Sequence, residues 1–294
     1  MLMSVQHPVV AVTGSSGAGT STVKTALEHI FTRKNLKPCI VEGDSFHKYD
    51  RSEMNEQVIK AQSEGINLSH FGPSSNHFDR LESLFRSYGR SGTGEIRNYL
   101  HNSEEASKFK QKPGTFTPWR EISEKTDLLF YEGLHGGVVN KETNIAQYVD
   151  LLLGVVPIVN LEWIQKIHRD TELRGYDRES VTNTILRRMY DYVHYIAPQF
   201  SRTDINFQRV PTVDTSNPFV ARDIPTPDES FVVIRFDDPN KFKIDFPYLL
   251  SMIHDSFMSR RNTIVVPGGK MGLAMEIILS PIIDMMIKQK SKMR

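Results

Sequence analysis

An α/β fold, with a largely parallel sheet covered by helices on both faces, is predicted by three features of the sequence. Apolar, β-branched runs of strand length recur along the chain. Segments of helical period stand between them. The first run, Val9 to Val12, passes into Gly14-Ser15-Ser16-Gly17-Ala18-Gly19-Thr20-Ser21 and then into Val23, Leu27, Ile30 and Phe31 at helical spacing. Strand, glycine loop and helix in that order make a phosphate cradle, because the loop turns its backbone N–H groups inward and the helix N-terminus adds partial positive charge.

Glycine and serine also fill ordinary turns, but here the flanking strand and helix are both readable, which favours a nucleotide loop. Ser21 stands where the hydroxyl of G-x-x-x-x-G-K-[ST] holds Mg²⁺. The lysine position of that pattern is Thr20, so another basic residue must be brought to the β- and γ-phosphates.

Composition narrows the function class. The 294 residues suit one large α/β domain or two small ones, and 39% hydrophobic with 24% charged residues is an ordinary globular balance. Lys+Arg number 36 against 35 Asp+Glu, which leaves no field to attract nucleic acid or an anionic membrane. No apolar run approaches the roughly 20 residues of a membrane span. The first apolar run already feeds the phosphate loop, so no signal peptide is expected. Cys39 is the single cysteine, which excludes an intrachain disulfide and a cysteine metal cluster. These features fit a cytoplasmic enzyme without nucleic-acid or membrane partners.

In chain order, Pro38 to Val41 reads as a second buried strand opening at Glu42-Gly43-Asp44-Ser45-Phe46-His47. Residues 48–120 are less regular: Arg51 to Glu64 is polar and helical, Ser69 to Asn76 and Ser87 to Gly94 carry turn residues, and Lys112 to Trp119 is a loop on its two prolines. That region reads as an insertion carrying substrate contacts. Thr126 to Tyr131 is the third strand and closes on Glu132-Gly133; Val149 to Val156 is the fourth. A helix over Asn160 to Thr171 takes Asn160 as its N-cap, and another covers Arg178 to Tyr195. Phe231 to Phe236 and Thr263 to Val266 read as further strands, and Met271 to Ile287 as an amphipathic helix packed on the sheet.

Ligands of such sheets sit beyond the carboxyl ends of the strands. Glu42, Asp44 and Glu132 fall there. Glu132 suits a magnesium carboxylate, the alternative being a solvated acid. Asp44 lies in a polar turn with His47 and Arg51 and suits a base facing a substrate hydroxyl, the alternative being a helix N-cap. Helical spacing puts Lys166, Arg169 and Asp170 on one face, with Leu161, Ile164 and Ile167 opposite and Arg174 one turn on. Such a face is usually solvated charge, but this helix follows a buried strand, which makes Lys166 a candidate for the missing loop cation. His101, His135 and His168 show no metal-ligand spacing and read as hydrogen-bonded structural histidines.

Taken together, GSSGAGTS, EGDSFH, FYEGLHGG, NLEWIQKIHRD, INFQRVPTVDTSNPF and DFPYLLSMIH resemble the phosphoribulokinase family in its bacterial form, over nearly the whole chain and including the Thr20 departure. The resemblance implies one P-loop nucleoside triphosphate hydrolase-like kinase domain over residues 1–294, with a mostly parallel, mixed sheet. It implies transfer of phosphate from MgATP to the 1-hydroxyl of D-ribulose 5-phosphate, giving ribulose 1,5-bisphosphate for carbon fixation. By motif, the general base falls on Asp44 and the Walker-B-type carboxylate on Glu132. The catalytic lysine, arginine and aspartate fall on Lys166, Arg169 and Asp170. Sugar-phosphate contacts fall on His47, Arg51, Arg169 and Arg174, with Arg33 a weaker match. A homo-oligomer is also implied, an octamer activated by NADH and inhibited by AMP, with regulatory arginines at Arg187, Arg188, Arg235 and Arg260. The plant-type cysteine switch needs a pair of cysteines, which Cys39 alone cannot supply.

In-line phosphoryl transfer is mostly positioning and charge neutralisation, and these residue types suit it. A cleft rich in arginine and lacking extra aromatics suggests an acceptor that is already phosphorylated. Three other readings compete. A uridine- or pantothenate-type kinase would take an unphosphorylated acceptor, which Arg51, Arg169 and Arg174 disfavour. A GTPase-like switch lacks N-K-x-D after a strand and D-x-x-G anywhere. A degenerate, purely regulatory member is suggested only by Thr20.

Overall fold

The structure, a computed structural model, describes residues 6–14, 20–156, 158–221 and 223–292. Its elements in order are β1 (Val9–Gly14), α1 (Thr20–Arg33), β2 (Pro38–Glu42), a 3₁₀ turn (Gly43–Phe46), α2 (Arg51–Ser63), α3 (Phe78–Ser91), β3 (Glu95–Ile96), α4 (Ser103–Lys108) and β4 (Arg120–Glu121). There follow β5 (Leu128–Gly133), β6 (Leu151–Val155), α5 (Val159–His168), a π-helical turn (Arg169–Leu173), α6 (Arg178–Asp191) and a second π-helical turn (Tyr192–Ile196). The chain continues through β7 (Ile205–Pro211), β8 (Ser230–Phe236), α7 (Phe246–Met252), β9 (Phe257–Arg260), β10 (Thr263–Pro267) and α8 (Met271–Lys292).

The main sheet has the order β2-β5-β1-β6-β7-β8-β10-β9, and β3 pairs with β4 in a separate ribbon. From β2 to β7 all pairings are parallel; β7-β8, β8-β10 and β10-β9 are antiparallel. The sheet is therefore mixed, as expected. Along β1 the side chains alternate between two cores. Val10 and Val12 pack with Val23, Leu27 and Ile30 of α1 and with Met275, Ile278 and Leu279 of α8. Val9 and Ala11 pack with Leu81, Phe85 and Tyr88 of α3. A strand buried on both faces reads as an unbroken apolar run, which is why β1, β5 and β6 stand out in the sequence.

Helix α8 passes through Pro281, at a cost of about 3 kcal/mol for the lost bond and the ring clash. Around it Ile278, Leu279, Ile282 and Ile283 are buried, each worth roughly 1.5–3 kcal/mol, so packing outweighs the proline. No helix among the described residues is long and apolar enough to cross a membrane.

Several local expectations are corrected. The stretch from Ser87 lies inside α3, a 14-residue helix that ends at Ser91 against Gly92, whose φ of 72° is left-handed and favours glycine. Helix α5 starts at Val159 with Ile158 at its N-cap and no capping side chain, so Asn160 does not cap it. The helix from Arg178 gives way to a π turn at Tyr192. Strands β7 and β9 had no strand signal of their own. Half of β7 is polar or ends on proline, and β9 is a short edge with mostly exposed residues.

Candidate active site

The cradle end of the sheet carries the predicted carboxylates. Gly14 ends β1, and Thr20 and Ser21 open α1. The expectations for Ser15, Ser16, Gly17, Ala18 and Gly19, and for the Ser21 hydroxyl, lie outside the described residues. Val12 is in register with Glu132, and Glu132 with Glu42, so both acids stand in one row beside the strand that enters the loop. Lys24, one turn into α1, reaches Glu42 Oε1 at 3.1 Å. Burial works against its charge, but the hydrogen bond from Lys24 to Glu42 and the charges of Glu42, Glu132 and Glu28 outweigh it and hold the ammonium above its ordinary value. Lys24 is thus a second cation near the loop, unnoticed in sequence because its pairing spans the β1–β2 connection.

Glu42 also faces His101, whose Nε2 lies 3.6 Å from Oε2. That hydrogen-bonded carboxylate raises the imidazole above its usual range against the effect of burial, and the ring in turn holds Glu42 low. His101 therefore belongs to the cleft and is not a purely structural histidine. His135 and His168 are structural: His135 bonds the Phe71 carbonyl at 3.1 Å, and His168 bonds Glu172 and the Ala221 carbonyl.

Two glycines let the base-bearing turn settle on β5. A Cβ built on Gly43 would lie 2.6 Å from the Tyr131 hydroxyl, and one on Gly133 would lie 2.7 Å from the Gly43 Cα. The 3₁₀ turn then presents Asp44, whose Oδ1 is 3.3 Å from His47 Nε2. Burial alone would raise the Asp44 carboxyl, but its hydrogen bond to His47 and the charges of His47, His101 and His70 hold it well below the usual carboxylate range. Asp44 caps no long helix; Asp50 caps α2 instead, in a reciprocal capping box with Glu53 at 2.9 Å. That cap fixes the start of α2 at Arg51, whose guanidinium donates to the His101 carbonyl at 2.9 Å.

Arg97 was not singled out in the sequence. It donates to the carbonyls of Ser45, at 2.7 Å, and of His47, bracing the turn that carries Asp44. Its guanidinium lies 3.7 Å from the centroid of Phe116 and 4.5 Å from that of Trp119, both in the Lys112 to Trp119 loop. Burial lowers it to about 10.

Across the cleft, α5 and the π turn supply the cations. Asp170 accepts from Lys166 Nζ at 2.5 Å, from Arg169 Nε at 3.1 Å and from Arg174 Nη1 at 3.1 Å. Burial opposes the Asp170 carboxylate, but these partners, Lys166 first, hold it low; Lys166 itself is lowered, chiefly by burial. π turns inside helices are frequent at functional sites.

The cleft between these groups is about 780 Å³ and is lined by Asp44, His47, Arg51, Lys166, Arg169, Asp170 and Arg174. Arg187 and Arg188, expected as regulatory, line it too. Their Nε atoms are buried with no hydrogen-bond partner among the described residues. Burial and the nearby Arg187, Arg169 and Arg174 bring Arg188 down to about 10, against the pull of Asp170. Tyr49, Phe71, Tyr99 and Tyr176 also line the cleft, so it does not lack aromatics. Arg33 is not among the lining residues and meets Glu276 of α8 at 3.3 Å. Arg235 and Arg260 do not line the cleft either; they flank Thr263 in register across β8, β10 and β9.

Among the described residues no three or more His, Cys, Asp or Glu gather as a metal cage. Magnesium is commonly held by one or two carboxylates with phosphate oxygens and water, and Glu132, at the end of β5 beside β1, fits that donor set.

A match to the phosphoribulokinase / uridine kinase family covers residues 9–216. A relative from Cupriavidus necator named "Phosphoribulokinase, plasmid" is 62% identical over 99% of both chains, and a "Phosphoribulokinase" from Sinorhizobium medicae is 57% identical over 99% of this chain and 100% of its own. The solved structure "Phosphoribulokinase from Rhodobacter spheroides" superposes with a TM-score of 0.89 at 54% identity, covering 98% of this chain and 100% of that one. The chain belongs to the phosphoribulokinase / uridine kinase family.

Proposed function

We propose that the chain transfers the γ-phosphoryl group of ATP to the 1-hydroxyl of D-ribulose 5-phosphate, giving D-ribulose 1,5-bisphosphate for carbon fixation, with residues 1–294 acting as one kinase domain. The observation that carries the reading is the cleft in which an ionised Asp44 faces a cluster of one lysine and several arginines gathered on Asp170. Asp44 takes the proton of the acceptor hydroxyl as its oxygen attacks the γ-phosphorus. Lys166 stabilises the negative charge that redistributes on the transferred group. Arg51, Arg169 and Arg174, with His47, hold the acceptor's own phosphate, which suits the paired N–H donors of guanidinium. The orphaned Nε atoms of Arg187 and Arg188 fit an anionic occupant of the same cleft.

Mg²⁺ on the nucleotide would neutralise phosphate charge. Ser21 and Glu132 are the residues we assign to it, and 14–21 the stretch that holds ATP. Lys24 and Lys166 together replace the loop lysine that Thr20 lacks. The enzyme is read as cytoplasmic, as a homo-oligomer and, in keeping with bacterial family members, as an octamer activated by NADH. Cys39 is buried, with its thiol pushed up to about 11, which supports the absence of thiol control.

A coupled assay of ADP release tests the reading. Ribulose 5-phosphate should be turned over and uridine should not. Uridine turnover, or ATP binding without turnover of either compound, would overturn it.

A further inference from the structure

Asn76, which follows a 3₁₀ turn at Pro73–Ser75, is 2% exposed, and its amide orientation is fixed by its neighbours. The side-chain nitrogen donates to the carbonyls of His70, at 2.8 Å, and Gly72, at 2.7 Å. Carbonyl oxygens only accept, so turning the amide over would set its oxygen against two others. Oδ1 therefore faces His47 Nδ1, 2.7 Å away, and a ring nitrogen facing an obligate acceptor carries the proton. The other ring nitrogen, Nε2, faces the Asp44 carboxylate at 3.3 Å, which when ionised also only accepts, so by the same argument it too carries a proton and donates to Asp44.

Little else can move in this corner. The His47 ring is buried and packs, tilted by 35°, against the His70 ring at 4.5 Å between centroids. A backbone bridge joins His47 to Asn76, Lys48 N–H donates to the Ser75 carbonyl at 2.8 Å, and His77 N–H donates to the Phe46 carbonyl at 2.8 Å. The two segments thus hold each other in register while the ring bridges amide and carboxylate. Neighbouring His135 shows the contrast: its Nε2 meets a backbone carbonyl, that of Phe71, at 3.1 Å.

We propose that Asn76 is a positioning residue of the phosphoryl-transfer site, holding His47 with Nδ1–H on its own amide so that Nε2–H donates to Asp44 and keeps that carboxylate ionised and aimed at the acceptor. The proposal rests on the kinase reading of the cleft. As the acceptor oxygen bonds to the γ-phosphorus and the bond to the ADP oxygen breaks, the hydroxyl proton passes to Asp44. Nε2–H stays on Oδ1 through the transfer, so the acceptor proton is taken by the other oxygen of the Asp44 carboxylate. Both N–H groups of His47 are satisfied throughout, one by Asn76 and one by Asp44, and Asp44 returns the acceptor proton to solvent before the next turnover. Because both ring nitrogens are engaged, His47 contributes to binding the acceptor's phosphate through its charge and not through a hydrogen bond of its own.

The test combines histidine-ring ¹⁵N NMR of the full-length protein with steady-state kinetics. His47 is assigned by its loss in His47→Ala. In the wild type, both ring nitrogens should carry the protonated-nitrogen signature; a ring with Nδ1 unprotonated would overturn the proposal, and this readout needs no variant of Asn76 and no substrate. Asn76→Ala should lose that signature and lower kcat by at least about 10-fold while leaving the KM for ATP unchanged. In a His47→Ala background the same substitution should change kcat by less than about 2-fold, since residues that act as a unit are non-additive. An equal loss in both backgrounds would make Asn76 merely structural and sink the idea. Should ribulose 5-phosphate prove not to be the acceptor, the assay fails for the wild type while the ring signature still reads the geometry.

Discussion

Lys166 and Asp170 meet at 2.5 Å across a change of helical pitch: the lysine lies in α5 and the aspartate in the π turn that begins at Arg169. One buried carboxylate thereby orients a lysine and two arginines toward a single cleft. Removing its charge should cost stability as well as activity. Asp170→Asn is expected to lower stability by about 2–3 kcal/mol, below the roughly 3–5 of a fully buried pair because Arg174 keeps access to water. Urea unfolding at neutral pH, compared with the wild type, measures this; an unchanged midpoint would show that the cluster does not depend on Asp170.

Substitutions on either side of that carboxylate should separate chemistry from binding. Lys166→Met should reduce kcat far more than it raises the KM for ribulose 5-phosphate, because its charge is needed at the transferring phosphoryl group. Arg51→Ala and Arg174→Ala should do the reverse. Three variants with the same balance of KM and kcat would refute the division of roles.

Asp44→Asn removes the base without disturbing the turn, whose backbone is held by Arg97. Turnover should fall by on the order of 10²–10⁴-fold with ATP affinity preserved. Measuring both in one preparation decides it, and near wild-type kcat would exclude Asp44 from the mechanism.

His135 gives a stability prediction with a definite sign. Its ring is 2% exposed, and burial brings it down to about 3 from the ordinary 6.5. A histidine lowered on folding takes up its proton first in the unfolded chain. Its neutral form therefore costs nothing above pH 6.5, and stability drains as pH falls from 6.5 toward 3, by about 1.4 kcal/mol per pH unit. His135→Leu should lose about 1–3 kcal/mol at pH 7, because the Phe71 carbonyl is left unpaired, yet show a shallower loss between pH 6.5 and 4. Parallel stability curves for the two proteins would disprove the assignment.

The proposed activation by NADH should depend on Arg235 and Arg260. The sheet sets them on either side of Thr263, with Arg260 exposed on the edge strand β9 and Arg235 3.5 Å from Asp237. An effector held there must favour the active form, with a coupling of roughly 1–3 kcal/mol. Arg235→Ala and Arg260→Ala are expected to keep basal turnover and lose the NADH response. Saturation with ribulose 5-phosphate in the presence and absence of NADH, with light scattering for oligomer size, tests this; a monomer, or variants that respond in full, would contradict it. Because Arg187 and Arg188 line the catalytic cleft, their substitution should alter basal kinetics as well.

Legible in the sequence alone were the buried strands, the glycine-rich stretch after β1, the acids after β2 and β5, and the helical face, running from α5 into the π turn, that carries Lys166 and Asp170. Each is a local property: a strand buried on both sides reads as an apolar run, its end is marked where polar residues resume, and a helix face follows from the 3.6-residue period. The tertiary structure alone decided that Lys24 meets Glu42, that Arg97 braces the Asp44 turn through Phe116 and Trp119, and that Asn76 reaches His47. It also brought Arg187 and Arg188 into the cleft, and left Arg235 and Arg260 on the antiparallel strands. Those contacts join segments separated by a loop, a helix or more of chain, and no backbone period encodes which of many polar residues will meet. The packing of helices on the sheet decides it, because a buried polar group without a partner is costly and only the folded chain supplies one.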